Sequence, residues 1–425
     1  MRFFYQEKYP KIKKTYFMGI PVVTRRNDGD NFYYDFCGVR VYQRKHKQLI
    51  KAENKPVQQK KAENKEPMKR NQNPTIGLDR SCLNVAIKLT GGLGDLLVAA
   101  NYLHVLYESL DSNEVRFYLF AHKDIKIART VFRGMPFVFS LKTLNDIEDS
   151  NKDYDLFFEI QRYPFVRHKD TKRIYRYAPF LIEVISLWDR FRIENSRYWL
   201  RAPWFDGLNQ IEIIQNRKRI QQPDVYSRLG LGEDFKPQIL IAKSEKACLD
   251  NLGLNGKRFV TIHRGVDSKM DKDSTKLWPQ EYYSLLVHQL KTRHPEITIV
   301  QLGVSEERCP KVPEVDIYLA GKTDLDDVKI LLKNAAIHID GEGGFVHLRH
   351  ALHGGKSVVL FGPTSISFFG YSENVNLQQT ACACVEGCEW IRPDWQKRCI
   401  AGYKRNACMY AITPELVLMK IEELL

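Results

Sequence analysis

Twice in this chain an apolar run ends in glycines and passes straight into a helical pattern, and few folds accommodate that arrangement. The first instance is Leu83-Asn84-Val85-Ala86-Ile87-Lys88-Leu89, followed by Thr90-Gly91-Gly92-Leu93-Gly94-Asp95 and an apolar helix over Leu96–Leu110. The second is Ala335-Ala336-Ile337-His338-Ile339-Asp340, then Gly341-Glu342-Gly343-Gly344-Phe345-Val346-His347, then a helix over Leu348–Leu352. A further buried strand, Ser357–Phe361, and a second polar turn, Gly362-Pro363-Thr364-Ser365, come directly after it. Strand, glycine turn and helix in alternation specify an α/β fold with parallel, doubly wound sheets. Helix starts of this kind carry N–H groups without an internal partner, and their partial positive charge suits a phosphate. Ligands of such sheets sit at the edge formed by the strands' carboxyl ends. The same glycines also serve plain turns, and the bare pattern leaves both readings open.

The alternation runs along most of the 425 residues. Strands are expected at Val115–Phe120, Tyr154–Ile160, Phe259–His263 and Ile297–Leu302. Pro279 opens a helix with Tyr282, Leu285, Leu286 and Leu290 on one face. Thr323 is expected to cap the next helix, with Asp326 in the capping-box position and Val328, Leu331 and Leu332 turned inward. Thr413-Pro414-Glu415 starts the last helix, with Val417, Ile421 and Leu424 at helical spacing. A break at residues 230–236 divides two Rossmann-like domains, 76–235 and 236–425, across a cleft.

The N-terminal segment has a different character. Phe17–Arg25 recurs as Phe36–Arg44, with the turn residues Asn27-Asp28-Gly29-Asp30 between, which predicts a small β-hairpin-like unit over residues 1–45. Residues 46–75 repeat Lys-Ala-Glu-Asn-Lys and offer almost nothing apolar to bury, so they read as a charged linker. Residues 1–75 hold 18 Lys/Arg against 7 Asp/Glu, so most of the formal net charge of +14 lies there. Such an extension suits a solvated tail or peripheral contact with an anionic membrane face. The body's low charge argues against nucleic acid as a partner. No apolar run reaches the ~20 residues of a membrane span. The charged start, Met1–Lys8, is unlike a signal peptide, which points to the cytoplasm.

In the second half the residues resemble glycosyltransferase family 9, the heptosyltransferases of bacterial surface glycans. The resemblance rests on Tyr318-Leu319-Ala320-Gly321-Lys322-Thr323, on Glu342-Gly343-Gly344-Phe345-Val346-His347-Leu348, and on Leu360-Phe361-Gly362-Pro363-Thr364. Lys276-Leu277-Trp278-Pro279 is similar to that family's Lys-x-Trp-Pro, and Gly94-Asp95 to its Gly-Asp. Glu342 stands where the family usually has Asp, Gly343 where it has Ser or Thr, and Asn101 where it often has Pro. The resemblance implies a GT-B fold, in which two Rossmann-like domains bind acceptor and nucleotide-sugar respectively. It also implies transfer of a sugar, heptose from an ADP-heptose-like donor above all, onto a glycan such as lipopolysaccharide or onto a protein acceptor. A sugar-nucleotide epimerase of the same fold and a non-catalytic sugar-nucleotide-binding scaffold are the alternatives.

Inverting transfer needs a base for the acceptor hydroxyl and positive charge or N–H donors on the leaving diphosphate. By resemblance Asp95 is the candidate base; as a bare sequence feature it is also a common helix-start Asp. Lys276, with Ser274 and Thr275, is the candidate diphosphate clamp, because the Pro-opened helix directly after it aims its N–H groups the same way. Arg264, at the end of a strand with His263, is a second candidate cation. Glu342 is the candidate for sugar hydroxyls, Gly343 and Gly344 for backbone approach to phosphate, and His347 for a ligand contact or a structural role. Arg162, Arg167 and Arg173, in a run interleaved with aromatics, are candidates for an anionic acceptor, with a solvated face as the alternative. The spacing of Asp271-Lys272-Asp273 falls in a charged loop, so the reaction is expected to need no metal and no cofactor. Cys382, Cys384, Cys388, Cys399 and Cys408 crowd one segment, which suits a structural zinc or iron ion or a set of reduced thiols.

Overall fold

A computed structural model describes five N-terminal strands between residues 4 and 45, and residues 78–110, 114–121, 125–144, 151–160, 164–194, 237–265, 274–379, 395–399, 402–403 and 407–425. The chain divides into two compact units, Met1–Thr75 and Ile76–Leu425. The expected linker and the expected boundary at residues 230–236 fall outside the described residues.

In the first unit β1 (Phe4–Tyr9), β2 (Ile12–Phe17), β3 (Ile20–Asn27), β4 (Asn31–Phe36) and β5 (Val39–Lys45) form an antiparallel meander in chain order. The hairpin-like unit expected from the repeat is therefore a five-stranded sheet. The repeat has a structural counterpart. Phe17 pairs with Ile20 across a register shift at Thr15/Tyr16, and Phe36 pairs with Val39 across one at Tyr34/Asp35. Each copy of the repeat thus enters a hairpin turn and its second strand.

The second unit contains two sheets. In the first, β6 (Leu83–Leu89), β7 (Val115–Ala121), β8 (Val138–Thr143), β9 (Leu156–Ile160) and β10 (Phe165–Lys169) lie in the order β10-β9-β6-β7-β8, all parallel except β10. In the second, β11 (Phe259–His263), β12 (Thr298–Leu302), β13 (Ile317–Tyr318), β14 (Ile337–Gly341), β15 (Ser357–Phe361) and β16 (Val375–Gln378) lie in the order β13-β12-β11-β14-β15-β16, all parallel. The strand order reverses between β6 and β9 in one sheet and between β11 and β14 in the other. These are the places where a doubly wound sheet opens a crevice for ligand.

Helix α1 (Leu93–Ser109) packs on the first sheet through Leu96, Leu97, Ala100, Leu103 and Leu106. Further helices of that half are α2 (Ile125–Val131), α3 (Thr171–Tyr177) and α4 (Phe180–Glu194). In the second half α5 (Glu245–Asn251), α6 (Gln280–Arg293), α7 (Leu325–Asn334) and α8 (Gly344–Ala351) precede α9 (Ile366–Phe369), α10 (Ala407–Ala411) and α11 (Pro414–Glu422). One apolar cluster runs from β6 and α1 into β12, α7 and α8, so the two sheets share a core. On the opposite face of the second sheet α6 and α11 close over Val260, Ile262 and Ile339.

Two sequence expectations shift here. Helix α6 buries Tyr283, Leu286, Val287 and Leu290, while Leu285 is 41% exposed. The inward stripe is thus turned by one residue, because Tyr283 donates from its hydroxyl to His263 O at 2.9 Å. Helix α7 is capped by Asp324, not Thr323. Asp324 accepts from Asp326 N and Asp327 N, and Asp327 answers on Asp324 N, so the capping box sits one residue later. Thr413 caps α11 as expected, accepting from Leu416 N at 3.3 Å.

Candidate functional site

The first half presents Thr90–Asp95 at its switch point. Thr90 N donates to Ile160 O, which ties the turn to β9. Gly91 has φ +100, where side chains are strained, and a Cβ there would stand 2.3 Å from Asp95 Oδ2. Asp95 Oδ2 accepts from Gly92 N at 3.0 Å, which fixes the carboxylate at the start of α1. Only glycine at position 91 leaves room for that arrangement.

The second half presents two turns and one crossing segment. After β14 come Gly341–Gly344, and after β15 come Gly362–Ser365. Residues 274–276 cross both strand ends. A Cβ on Gly341 would lie 3.6 Å from Lys276 O, and one on Gly362 would lie 3.5 Å from Thr275 O. Lys276 Nζ lies 2.5 Å from Glu342 Oε2, so the structure joins two residues that sequence reasoning named separately. The Lys276 ammonium is thus held beside the turn that follows β14. Ser274 and Thr275 are buried. The Thr275 hydroxyl donates to Trp395 O at 2.7 Å and Thr275 N to Gln396 O at 3.1 Å, so this residue also anchors the start of the cysteine-rich segment's far end. Trp278 is buried, and its Nε1 donates to Ile412 O at 2.8 Å, which pins the crossing segment to the C-terminal helices.

The starts of α1 and α8 meet. A Cβ on Gly94 would lie 2.5 Å from His347 Cδ2, and one on Gly344 would lie 3.0 Å from Leu93 Cβ. Gly344 is thus required by the approach of Leu93. Gly343, with φ 176, is ordinary extended backbone and caps α8 without any side-chain partner. His347 is buried, its Nδ1 2.7 Å from the Tyr371 hydroxyl. Burial pushes its pKa down to about 4, so the ring is neutral. Tyr371 in turn stacks on His350, whose Nδ1 lies 2.6 Å from Glu373 Oε1. Asp95 is one residue from Gly94, and Glu342 two from Gly344, so the contact brings the two switch points face to face.

At the base of the Gly341–Gly344 turn lies a buried polar chain on β11 and β14. His263 Nδ1 is 2.9 Å from Asp340 Oδ1, Asp340 Oδ2 is 3.4 Å from His338 Nε2, and His338 Nδ1 is 3.0 Å from Thr261 Oγ1. Burial opposes the charge on His263, but the Asp340 carboxylate beside it outweighs burial and holds its pKa at about 10. Burial likewise opposes ionisation of Asp340, and the His263 cation outweighs it and keeps that carboxyl below its usual range. Arg264 follows directly, with its Nε buried and no hydrogen-bond partner among the described residues. Sequence reasoning gave a role to Arg264 but left Asp340 and His338 as parts of an apolar strand. Their signal was the alternation of two polar residues on one face of a buried run.

The arginine run divides. Arg162 falls outside the described residues. Arg167 Nε is 3.0 Å from Glu159 Oε1, which also takes Lys88 Nζ at 3.1 Å, close to the carboxyl ends of β6 and β9. Arg173 Nε is 2.6 Å from Asp155 Oδ1, and its Nη2 donates to Arg80 O and Cys82 O. That is the amino-terminal edge of β6, across the sheet from the switch point, where its donors serve the fold. Among the cysteines Cys399 and Cys408 are free thiols, while Cys382, Cys384 and Cys388 fall outside the described residues, as do Asp271 and Asp273. Burial pushes the Cys408 thiol up, and the nearby Cys399 adds to it. Among the described residues no group of three or more His, Cys, Asp or Glu side chains is arranged so that it could hold a metal ion. No described helix is long and apolar enough to cross a membrane.

Residues 223–402 match the family profile described as glycosyltransferase family 9 (heptosyltransferase). Lipooligosaccharide heptosyltransferase 2 of Haemophilus influenzae is 28% identical over 158 residues, which are 35% of this chain and 43% of that protein. The chain thus aligns with less than half of that relative's length. Among solved structures, ADP-heptose LPS heptosyltransferase II of E. coli matches with TM-score 0.50 and 15% identity, over 80% of this chain and 98% of that one. The iron-containing dodecameric glycosyltransferase TibC from enterotoxigenic E. coli H10407 matches with TM-score 0.53 and 14% identity, over 94% of this chain and 82% of that one. At these identities the structures speak for the fold, and the two Rossmann-like sheets facing one another are that GT-B fold.

Proposed function

From a chain that is heptosyltransferase-like in the sense of glycosyltransferase family 9, we propose that the protein is an inverting, metal-independent glycosyltransferase. Its donor is a nucleotide-sugar, ADP-heptose above all, and its acceptor a bacterial surface glycan or a protein. One observation carries this reading: the Gly94–His347 contact sets Asp95 of one half opposite the Lys276–Glu342 pair and the glycine turn of the other.

Asp95 takes the proton of the acceptor hydroxyl. The acceptor oxygen then forms a bond to the anomeric carbon as the bond from that carbon to the diphosphate oxygen breaks. The electron pair leaves on the nucleoside diphosphate, where Lys276, Arg264 and the uncapped N–H groups at the start of α8 receive it. Glu342 accepts from sugar hydroxyls, and Ser274 and Thr275 hold the backbone of the clamp. Arg167, with Lys88, meets an anionic group on the acceptor. The five cysteines hold one zinc or iron ion with a structural role; their crowding within residues 382–408 supports this. The basic N-terminal unit and linker serve acceptor or membrane contact, and the protein works in the cytoplasm or at the inner membrane face.

The test is a panel of nucleotide-sugars with detection of released nucleoside diphosphate, for the wild type and Asp95→Asn. The substitution keeps size and removes basicity, so donor binding persists while turnover falls by about 100-fold or more. Equal turnover by both proteins removes Asp95 from the mechanism, and no release from any donor in the presence of cell-envelope acceptor removes the function.

A further inference from the structure

We propose that His263, paired with Asp340, is a positioning residue of the donor site: it fixes Arg264 and Gly265 for a diphosphate and adds its own positive charge to that of Arg264. This inference rests on the donor-site reading above and goes beyond it, since neither His263 nor Asp340 has a role there.

Position comes first. His263 ends β11 and Asp340 lies near the end of β14, the two strands between which the order of the second sheet reverses. The ion pair therefore stands under the crevice, with the 2.9 Å contact spanning it.

The imidazole is in contact with both walls. A Cβ on Gly265 would lie 2.7 Å from His263 Nε2 and 3.1 Å from Cys309 Sγ, so the chain beyond Arg264 folds down onto the ring and only glycine fits. Cys309 Sγ donates to Arg264 O and holds the same peptide from below. The other wall is Phe345, whose ring centroid is 4.7 Å from that of His263, beside the Gly343–Gly344 turn. The two rings are tilted by 52° to one another. The same imidazolium thus supports the Arg264–Gly265 backbone on one side and the glycine turn on the other.

The site is also short of an acceptor. Arg264 Nε is buried with no partner among the described residues, in a place where a diphosphate oxygen would complete it. The groups facing His263 are Asp340 and His338 from β14, Cys309 from the loop after β12, Tyr283 from α6 and Arg264 from its own strand. Only Asp340 carries a negative charge among them. Removing that charge while keeping the hydrogen-bond shape should let burial discharge the imidazole near neutral pH.

The experiment measures ADP affinity by calorimetry from about pH 5.5 to about pH 9 for wild type, Asp340→Asn and His263→Asn. The diphosphate's own titration enters all three alike. Wild type is expected to show only that shared dependence across the range. Asp340→Asn should bind at least as tightly as wild type at the acid end, where the cation has lost its counter-charge, and weaken about tenfold toward the alkaline end, as the ring discharges. His263→Asn, which keeps a neutral donor to Asp340, should be about tenfold weaker at every pH. A merely structural role predicts rescue by His263→Asn and parallel pH profiles for all three proteins, and either result overturns the inference. If Asp340→Asn does not fold, His263→Asn alone decides. If wild type binds no nucleoside diphosphate (ADP, GDP, UDP or CDP), the donor-site reading falls and this inference with it. An Asp340→Asn profile parallel to wild type, in protein that binds ADP, defeats this inference alone.

Discussion

Gly94→Ala tests the contact on which the site depends. Gly94 lies in the first turn of α1, where alanine would ordinarily stabilise a helix by about 0.8–1.0 kcal/mol over glycine. Here the new Cβ would stand 2.5 Å from His347 Cδ2, against an ordinary contact of 3.4–4 Å. His347 is poorly placed to yield, being buried and bound to Tyr371, which itself stacks on His350. Overpacking of that kind costs about 1–3 kcal/mol, so the net effect should be destabilising by up to about 2 kcal/mol. Thermal denaturation with nucleotide-sugar turnover on the same samples is the assay. His347→Ala should be destabilising alone through its cavity, yet less so in the Gly94→Ala background. The double-mutant cycle should thus give a favourable coupling of about 0.5–3 kcal/mol. Relief by opening the seam instead would leave stability near wild type and lower turnover, because Asp95 would move away from Lys276. A stabilised Gly94→Ala protein with full turnover, additive with His347→Ala, would refute the contact.

Lys276→Ala should weaken nucleoside diphosphate binding by about 1.5–3 kcal/mol, since it removes a cation and leaves the negative charge of Glu342 beside the site without it; Lys276→Ala/Glu342→Gln should recover part of this, and unchanged affinity by calorimetry would make Lys276 merely structural. Stability should peak near pH 6.5. His263, raised to about 10, contributes stability that is complete below its unfolded value and lost as pH rises through about 10, whereas His347, lowered to about 4, destabilises as pH falls from about 6.5 toward 4. A melting temperature that rises steadily from pH 6 to pH 9 would contradict the His263 assignment. Protein purified without added metal should contain close to one equivalent of zinc plus iron and melt lower in chelator; metal-free protein with unchanged melting would leave the five thiols as free cysteines.

The sequence by itself determined the elements, because their causes are local. Glycine after an apolar run, Pro279 before a helix and Thr413 at a cap act within a few residues, and each appears where the pattern placed it. The N-terminal repeat was equally legible as β structure. Its extension to five strands was not, because pairing joins strands whose sequences announce only their own extendedness. Local patterning also misplaced the cap of α7 by one residue, since Thr323 and Asp324 are both capable and the side-chain bond between Asp324 and Asp327 decides.

Only the tertiary structure decided which residues meet. Lys276 and Glu342 are 66 positions apart and touch because residues 274–276 cross the end of β14. Gly94 is glycine on account of His347, and Gly344 on account of Leu93, pairs that no spacing connects. His263 becomes a buried cation because Asp340 arrives on the neighbouring strand, and Arg173 is drawn to the far edge of its sheet by Asp155. Charge state and reach depend on neighbours brought by the fold, and sequence carries that information only through the strand order it encodes as a whole.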